Sequence, residues 1–166
     1  MLINQKVLFS KEECIKILSL IKTYEKKWKT SDRNYLSHTI GCTNETESIF
    51  NKLINFFETS TNIKIKNSKK YIHFHKYVEG GWFGRHNDMR QNRMYSVGVL
   101  LNDTFDGGNF ILYNNDNIIL DKVAGNTYIF DVRINHEIKP IIKGERYSLI
   151  WFLKDINIVY SRNKLL

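Results

Sequence analysis

The chain carries one proline and two cysteines in 166 residues, and it has no low-complexity run and no long apolar stretch. So few cysteines exclude a disulfide scaffold, and Cys14 and Cys42 form neither a zinc-ligand nor a redox spacing, so both are expected to be reduced and buried. A single proline, with 42% hydrophobic and 13% aromatic residues, excludes a proline-rich or disordered chain and points to a packed core. Nothing approaches the roughly 18 to 20 consecutive apolar residues of a membrane span. Met1 to Lys6 also lacks the apolar centre of a signal peptide. No membrane partner and a cytoplasmic location are therefore expected. Acidic residues are in deficit, with a formal charge of +8. Lysines at 26, 27, 29, 64, 66, 69 and 70 could steer nucleic acid or an acidic protein segment. A general richness in Lys, Asn and Ile spreads that charge along the chain, so it is weak support for nucleic-acid binding.

At this length one domain suffices, 1–166, divided into a helical support region over 1–62 and a β core over 63–160. Ser10-Lys11-Glu12-Glu13 reads as a capping box ahead of Cys14, Ile17, Leu18, Ile21, Tyr24 and Trp28 at helical spacing, predicting a helix from about Lys11 to Lys27. A second helix is predicted from near Asn44, with Phe50, Leu53, Ile54 and Phe57 on one stripe, ending in the polar segment Glu58 to Asn62. Short strands follow at 63–66, 71–78, 83–88, 95–101, 109–113, 118–120, 127–132, 137–142 and 147–153. Turn signals separate them at Glu79-Gly80-Gly81, Asp106-Gly107-Gly108, Asn114 to Asn117, Gly125-Asn126 and Lys143-Gly144. Helices followed by evenly spaced strands predict a mainly β fold of α+β type, a double-stranded β-helix or jelly roll with the helices packed on one sheet.

One arrangement looks like chemistry rather than packing. Residues two apart on a strand share a face, so His86 and Asp88 can present an imidazole and a carboxylate to one point. His136 lies far along the chain but can be returned by strand pairing, and two histidines with one carboxylate form the facial triad of non-haem Fe(II), which leaves coordination positions open. An oxygenase using 2-oxoglutarate must also pin the far carboxylate of that diacid. Arg146 offers a bidentate contact that a lysine could not. Ser148, two residues on, shares its face, and Tyr77 is a candidate third donor.

The run from Tyr77 through Gly80-Gly81-Trp82-Phe83-Gly84-Arg85-His86-Asn87-Asp88 comes first. It is followed by Leu101-Asn102, Asp106-Gly107-Gly108, Gly125-Asn126, His136 to Pro140 and Gly144-Glu145-Arg146-Tyr147-Ser148 with Trp151. Together these resemble the prolyl 4-hydroxylase-type branch of the Fe(II)/2-oxoglutarate dioxygenases over about residues 71 to 154. The resemblance implies that His86, Asp88 and His136 bind Fe(II), that Arg146 binds the distal carboxylate of 2-oxoglutarate, and that Tyr77 and Ser148 support it. It further implies O2 as co-substrate, ascorbate as accessory reductant, succinate and CO2 as products, and hydroxylation of a peptidyl residue, with proline foremost. Asp88 favours hydroxylation, because halogenating relatives give up this carboxylate to a halide. Two departures from the pattern bear on the polarity around the metal rather than on its ligands: Phe110 follows Gly108-Asn109 where many relatives place a glutamate and a leucine, and Phe83 replaces a tyrosine found in some relatives.

Alternatives remain open at this point. The same chemistry on a free amino acid or small metabolite, or on nucleic acid, uses the same triad, although demethylase-type relatives carry a second arginine soon after the first and 147–152 has none. A metal-binding jelly-roll module without turnover is the non-enzymatic alternative. His73-Phe74-His75 with Glu79 is a rival ligand set of cupin type, but it leaves Asp88 and Arg146 without roles. His73 and His75 are expected instead to flank the pocket as cavity-lining or hydrogen-bonded residues.

Overall fold

A computed structural model describes residues 1–24, 29–30, 33–66, 71–90, 92–154 and 158–159. The first half of the chain forms β1 (Leu2–Val7), α1 (Lys11–Lys22), β2 (Lys29–Thr30), β3 (Tyr35–Gly41), α2 (Glu47–Thr61) and β4 (Lys64–Ile65). The next elements are β5 (Tyr71–Tyr77), β6 (Phe83–His86), β7 (Arg93–Leu100), β8 (Asp106–Gly107), β9 (Phe110–Tyr113) and β10 (Ile118–Ile119). Then come β11 (Asn126–Asp131), β12 (Asn135–Ile138), β13 (Ile141–Lys143), β14 (Arg146–Lys154) and β15 (Ile158–Val159).

The capping box at Ser10 forms as expected. The Ser10 hydroxyl accepts from the Glu13 amide at 3.2 Å, and the Glu13 carboxylate accepts from the Ser10 amide at 2.8 Å. Two donors that a helix start would leave orphaned are thereby satisfied. Helix α2 begins later than predicted and runs through the polar Thr59-Ser60-Thr61, because Asn62 adopts a left-handed conformation (φ 57°) and closes its last turn. Helix α1 ends at Lys22, short of the predicted Lys27, with Thr23 as its C-cap; Lys26, Lys27, Trp28, Lys69 and Lys70 lie outside the described residues.

All the strand pairings are antiparallel. The major sheet has the order β1-β11-β7-β14-β5-β3-β2, and the minor sheet β10-β9-β12-β6. One face of the major sheet carries Ile72 and Phe74 of β5, Val97 and Val99 of β7, Ile129 of β11, and Leu149, Trp151 and Leu153 of β14. These pack with Cys14, Ile17 and Ile21 of α1 and with Phe50, Leu53 and Phe57 of α2. Strand alternation sends the intervening residues to the other face. There Tyr77, Leu100, Tyr128 and Phe130 meet Phe110, Leu112 and Ile138 of the minor sheet. Two sheets closed over this second cluster, with helices on the outer face of one, are the predicted jelly roll.

The N-terminal region differs from the prediction. It is more than a helical support: β1 pairs with β11, and β3 with β5, in the major sheet. Neither strand announces itself, since β1 is a largely exposed edge with Asn4, Gln5 and Lys6 in its middle, and β3 mixes Ser37, His38 and Thr39 among its apolar residues. Pro140 divides the strand predicted over 137–142 into β12 and β13, because proline supplies no ladder donor. The predicted turn residues Asp106 and Gly107 pair with β13. Cys14 is buried as expected, but Cys42 is exposed, lying past the end of β3. Among the described residues no helix is long and apolar enough to cross a membrane.

Candidate active site

Strand pairing brings the two distant histidines together. His136 of β12 sits directly opposite His86 of β6, with ring centroids 4.2 Å apart. Asp88 arrives differently from the expected strand alternation, because β6 ends at His86. The Asp88 amide donates to the Val132 carbonyl at 2.9 Å, and the Ser96 hydroxyl of β7 donates to its Oδ2 at 2.6 Å. A loop residue is thus fixed by the strand behind it and by the start of the turn before β12.

The proton positions of the two imidazoles follow from their partners. His86 Nδ1 lies 2.7 Å from the Gly84 carbonyl and His136 Nδ1 3.0 Å from the Ile134 carbonyl. A carbonyl only accepts, so each Nδ1 carries the proton and each Nε2 presents a lone pair. Burial lowers the pKa of His136 and reinforces its neutral form. Those lone pairs face the Asp88 carboxylate at 3.7 Å from His86 and 3.6 Å from His136, and the three ligand atoms lie within 4.8 Å of one another. Acceptors facing acceptors are unfavourable alone and favourable around a cation. Two imidazoles and a single carboxylate, with no fourth protein ligand among the described residues, fit Fe(II) with open positions better than a closed structural zinc site.

Arg146 is 2% exposed, on the face of β14 turned toward the minor sheet. Its Nη1 donates to the Ser148 hydroxyl at 2.9 Å, leaving that hydroxyl's own proton available. Tyr77 is opposite it in the ladder, with the ring centroid 5.6 Å from the guanidinium carbon. The Arg146 Nε has no hydrogen-bond partner among the described residues. No ion pair joins Arg146 to a carboxylate among them either. A guanidinium so enclosed is unfavourable by several kcal/mol without a counter-charge, on the order of what breaking a buried ion pair costs. Of the six residues singled out in the sequence, Tyr77, His86, Asp88, His136 and Ser148 line one cavity of about 480 Å³, while Arg146 lies beside it, bonded to Ser148 and lining a separate small recess with Tyr128.

His73 and His75 join no metal-type cluster among the described residues. They line the cavity wall: His73 Nδ1 is 2.9 Å from the Thr39 hydroxyl, and His75 packs edge-on against Tyr35 and Tyr77. Burial, with His73, Arg146 and His86 nearby, pushes the His75 pKa down to about 3. It is a neutral aromatic wall. Phe83 sets its ring 4.4 Å from that of His86, and Phe110 sets its ring 5.4 Å from that of His136, which gives the site an apolar flank.

Three residues of this region escaped the sequence reading. Ser96 holds Asp88. Tyr128 is buried, lines the cavity and lies against the Arg146 guanidinium. It fits only because Gly98, on the neighbouring strand, has no side chain, since a Cβ there would overlap the Tyr128 ring. Arg93 lines the cavity from the start of β7. The pairing of a bare glycine with a tyrosine across two strands was the available signal, but it becomes visible only once β7 and β11 are known to be neighbours.

Solved structures share this architecture. A prolyl-4-hydroxylase from Pseudomonas putida is 22% identical with a TM-score of 0.71, covering 91% of this chain and 91% of that one. A prolyl hydroxylase from Trichoplax adhaerens, in complex with a hypoxia inducible factor peptide fragment, is 17% identical with a TM-score of 0.67, covering 94% of this chain and 84% of that one. A viral collagen prolyl hydroxylase from Paramecium Bursaria Chlorella virus-1, solved with 2-oxoglutarate, is 15% identical with a TM-score of 0.66, covering 90% and 93%. At these identities the likeness is one of fold. No curated protein matches the sequence. The family model for the 2OG-Fe(II) oxygenase superfamily matches residues 72–154, half of the chain and the stretch from β5 to the end of β14 that supplies the clustered histidines, Asp88 and Arg146. The chain accordingly belongs to that superfamily of iron- and 2-oxoglutarate-dependent dioxygenases.

Proposed function

We propose that the protein hydroxylates a proline residue within a peptide, coupled to conversion of 2-oxoglutarate and O2 into succinate and CO2. One oxygen atom enters succinate and the other the substrate. The observation that carries the co-substrate part of this reading is Arg146, a buried cation without an acidic partner among the described residues, in the same inter-sheet space as the His86/Asp88/His136 group.

In this reading His86, Asp88 and His136 hold Fe(II), which when bound supplies the oxygen chemistry. Their Nδ1 protons are retained by the Gly84 and Ile134 carbonyls, which fixes both rings with Nε2 inward. Ser96 keeps one oxygen of Asp88 occupied, so that the carboxylate presents the other. Arg146 binds the distal carboxylate of 2-oxoglutarate as a fork, the Ser148 proton is free to add a second donor, and the Tyr128 hydroxyl adds a third. Tyr77 lays its ring against the guanidinium, and burial, which pushes its pKa up, keeps the phenol protonated and able to donate. The rings of Phe110 and Phe130 pack against the buried His136, and that of Phe83 against His86, so the electrostatic contacts of His136 act in an apolar surrounding.

Peptidyl proline is supported by the solved relatives, which are prolyl hydroxylases, one of them in complex with a peptide. The test is succinate release in the presence of proline-containing peptides, free amino acids and methylated oligonucleotides. Peptide-dependent succinate with a mass gain of one oxygen on proline is the expected result. Stimulation by free amino acids or oligonucleotides alone would overturn the substrate assignment.

A further inference from the structure

The cavity wall is basic. Arg33, Arg85, Arg90 and Arg93 line it, and among the described residues Asp88 is the one acidic side chain in that lining. Three of these arginines are laid against rings: Arg33 at 5.3 Å from both Trp82 and Phe83, Arg85 at 4.0 Å from Tyr113, and Arg93 at 3.6 Å from Phe152. A guanidinium held against a ring is restricted in its motion, and its planar fork can meet a carboxylate with two bonds.

Arg93 is the most informative of the four. It is half-buried, and its Nε has no hydrogen-bond partner among the described residues. The acid that influences it is Asp88, which already accepts from Ser96 and faces the two histidines. Arg93 therefore carries a partly desolvated positive charge with no anion of its own among the described residues. Arg90 and Arg93 also line a second recess of about 460 Å³, which includes Met89 and Met94 and adjoins the first at these two arginines. A surface that continues from one recess to the next suits an extended chain better than a compact metabolite.

We propose that this arginine wall selects a peptide with an aspartate or glutamate beside the residue to be hydroxylated, its carboxylate pairing with Arg93 while Arg90 guides the chain that follows. The proposal rests on the peptide reading above and adds the charge of the substrate. Attraction between a basic mouth and an acidic segment also accelerates encounter in a salt-dependent way.

Matched peptides with one central proline flanked by Asp/Glu, by Asn/Gln or by Lys separate the outcomes. Two quantities are measured: kcat/KM from succinate release, and binding of labelled peptide by anisotropy to the Mn(II)- and 2-oxoglutarate-loaded protein. The acidic peptide should exceed the amide peptide about tenfold in both, as one charge-assisted bidentate contact implies, and the margin should shrink with added salt. In Arg93→Gln the margin should fall to about twofold through KM rather than kcat, and Arg93→Lys should restore part of it. Arg90→Gln, at an exposed position, gives a second reading should Arg93→Gln not fold, and it should reduce the margin severalfold. Equal use of acidic and amide peptides overturns the acidic preference, and an undiminished margin in both variants overturns its assignment to Arg93 and Arg90; neither result touches the peptide reading. If no peptide is used while an oligonucleotide is hydroxylated, the peptide reading falls and this inference with it.

Discussion

The two faces of the major sheet are built from alternate residues of the same strands, and both carry apolar residues, yet only one of them also carries buried charge. On β14, Leu149, Trp151 and Leu153 turn to the helices, while Arg146 and Ser148 turn to the minor sheet. On β5, Ile72 and Phe74 face the helices and His73, His75 and Tyr77 the cavity. The helical face is apolar and self-sufficient. The cavity face contains a buried arginine without an acidic partner among the described residues and, with the minor sheet, a set of acceptors pointed at one another. A protein selected for stability alone would not keep either, so the second face is where binding energy from iron and 2-oxoglutarate must be spent.

Variants can break this division or sharpen it. The largest effect is expected for Asp88→Ala, which should abolish peptide-dependent succinate release, a loss well beyond the roughly 10- to 100-fold typical of losing a supporting partner. Its far-ultraviolet circular dichroism should remain that of the parent protein. Trp151→Ala, on the opposite face of the same sheet, should lower the unfolding free energy by about 3 to 5 kcal/mol in urea titration. The fraction still folded should bind 2-oxoglutarate with the parent affinity. Arg146→Ala should weaken 2-oxoglutarate by about 3 kcal/mol in anaerobic calorimetry, the range for truncating one partner of a buried charge pair. Ser96→Ala should reduce metal affinity by about 10- to 100-fold while leaving the ligand set intact, as measured by competition with a chelator.

The smallest expected effect concerns pH. His75 is held at about 3 when folded, while its ordinary value is 6.5. Below pH 6.5 the unfolded chain takes up a proton that the folded protein does not. Stability present above that pH is therefore lost as the pH falls toward 3, with a slope of at most about 1.4 kcal/mol per unit. The urea midpoint of the metal-free protein should accordingly fall less between pH 7 and pH 5 in His75→Asn than in the parent.

Legibility in the sequence followed the same division. The helical face could be read because apolar periodicity is local: the Ser10 cap, the α1 and α2 stripes and most of the strands from β5 onward appear where expected. Strands β1 and β3 could not, because one is a polar edge and the other mixes polar and apolar residues along its length. At the site, His86, Asp88, His136 and Arg146 were legible because their residue types are costly to place without a task. Ser96, Tyr128 and Arg93 were illegible for the opposite reason. A serine, a tyrosine and an arginine are ordinary residues on a strand, and each gains its meaning from a partner brought in by tertiary structure, Asp88, Gly98 with Arg146, and Phe152 respectively.

The most direct test of the account is anaerobic titration of the parent protein with Fe(II) and 2-oxoglutarate, followed by visible absorption. Chelation of 2-oxoglutarate at iron held by His86, Asp88 and His136 should produce a metal-to-ligand charge-transfer band. That band should be absent in Asp88→Ala, and in Arg146→Ala it should require far higher 2-oxoglutarate. A parent protein that binds both without developing the band, or an Asp88→Ala protein that retains it, would contradict the assignment of these residues to the iron site.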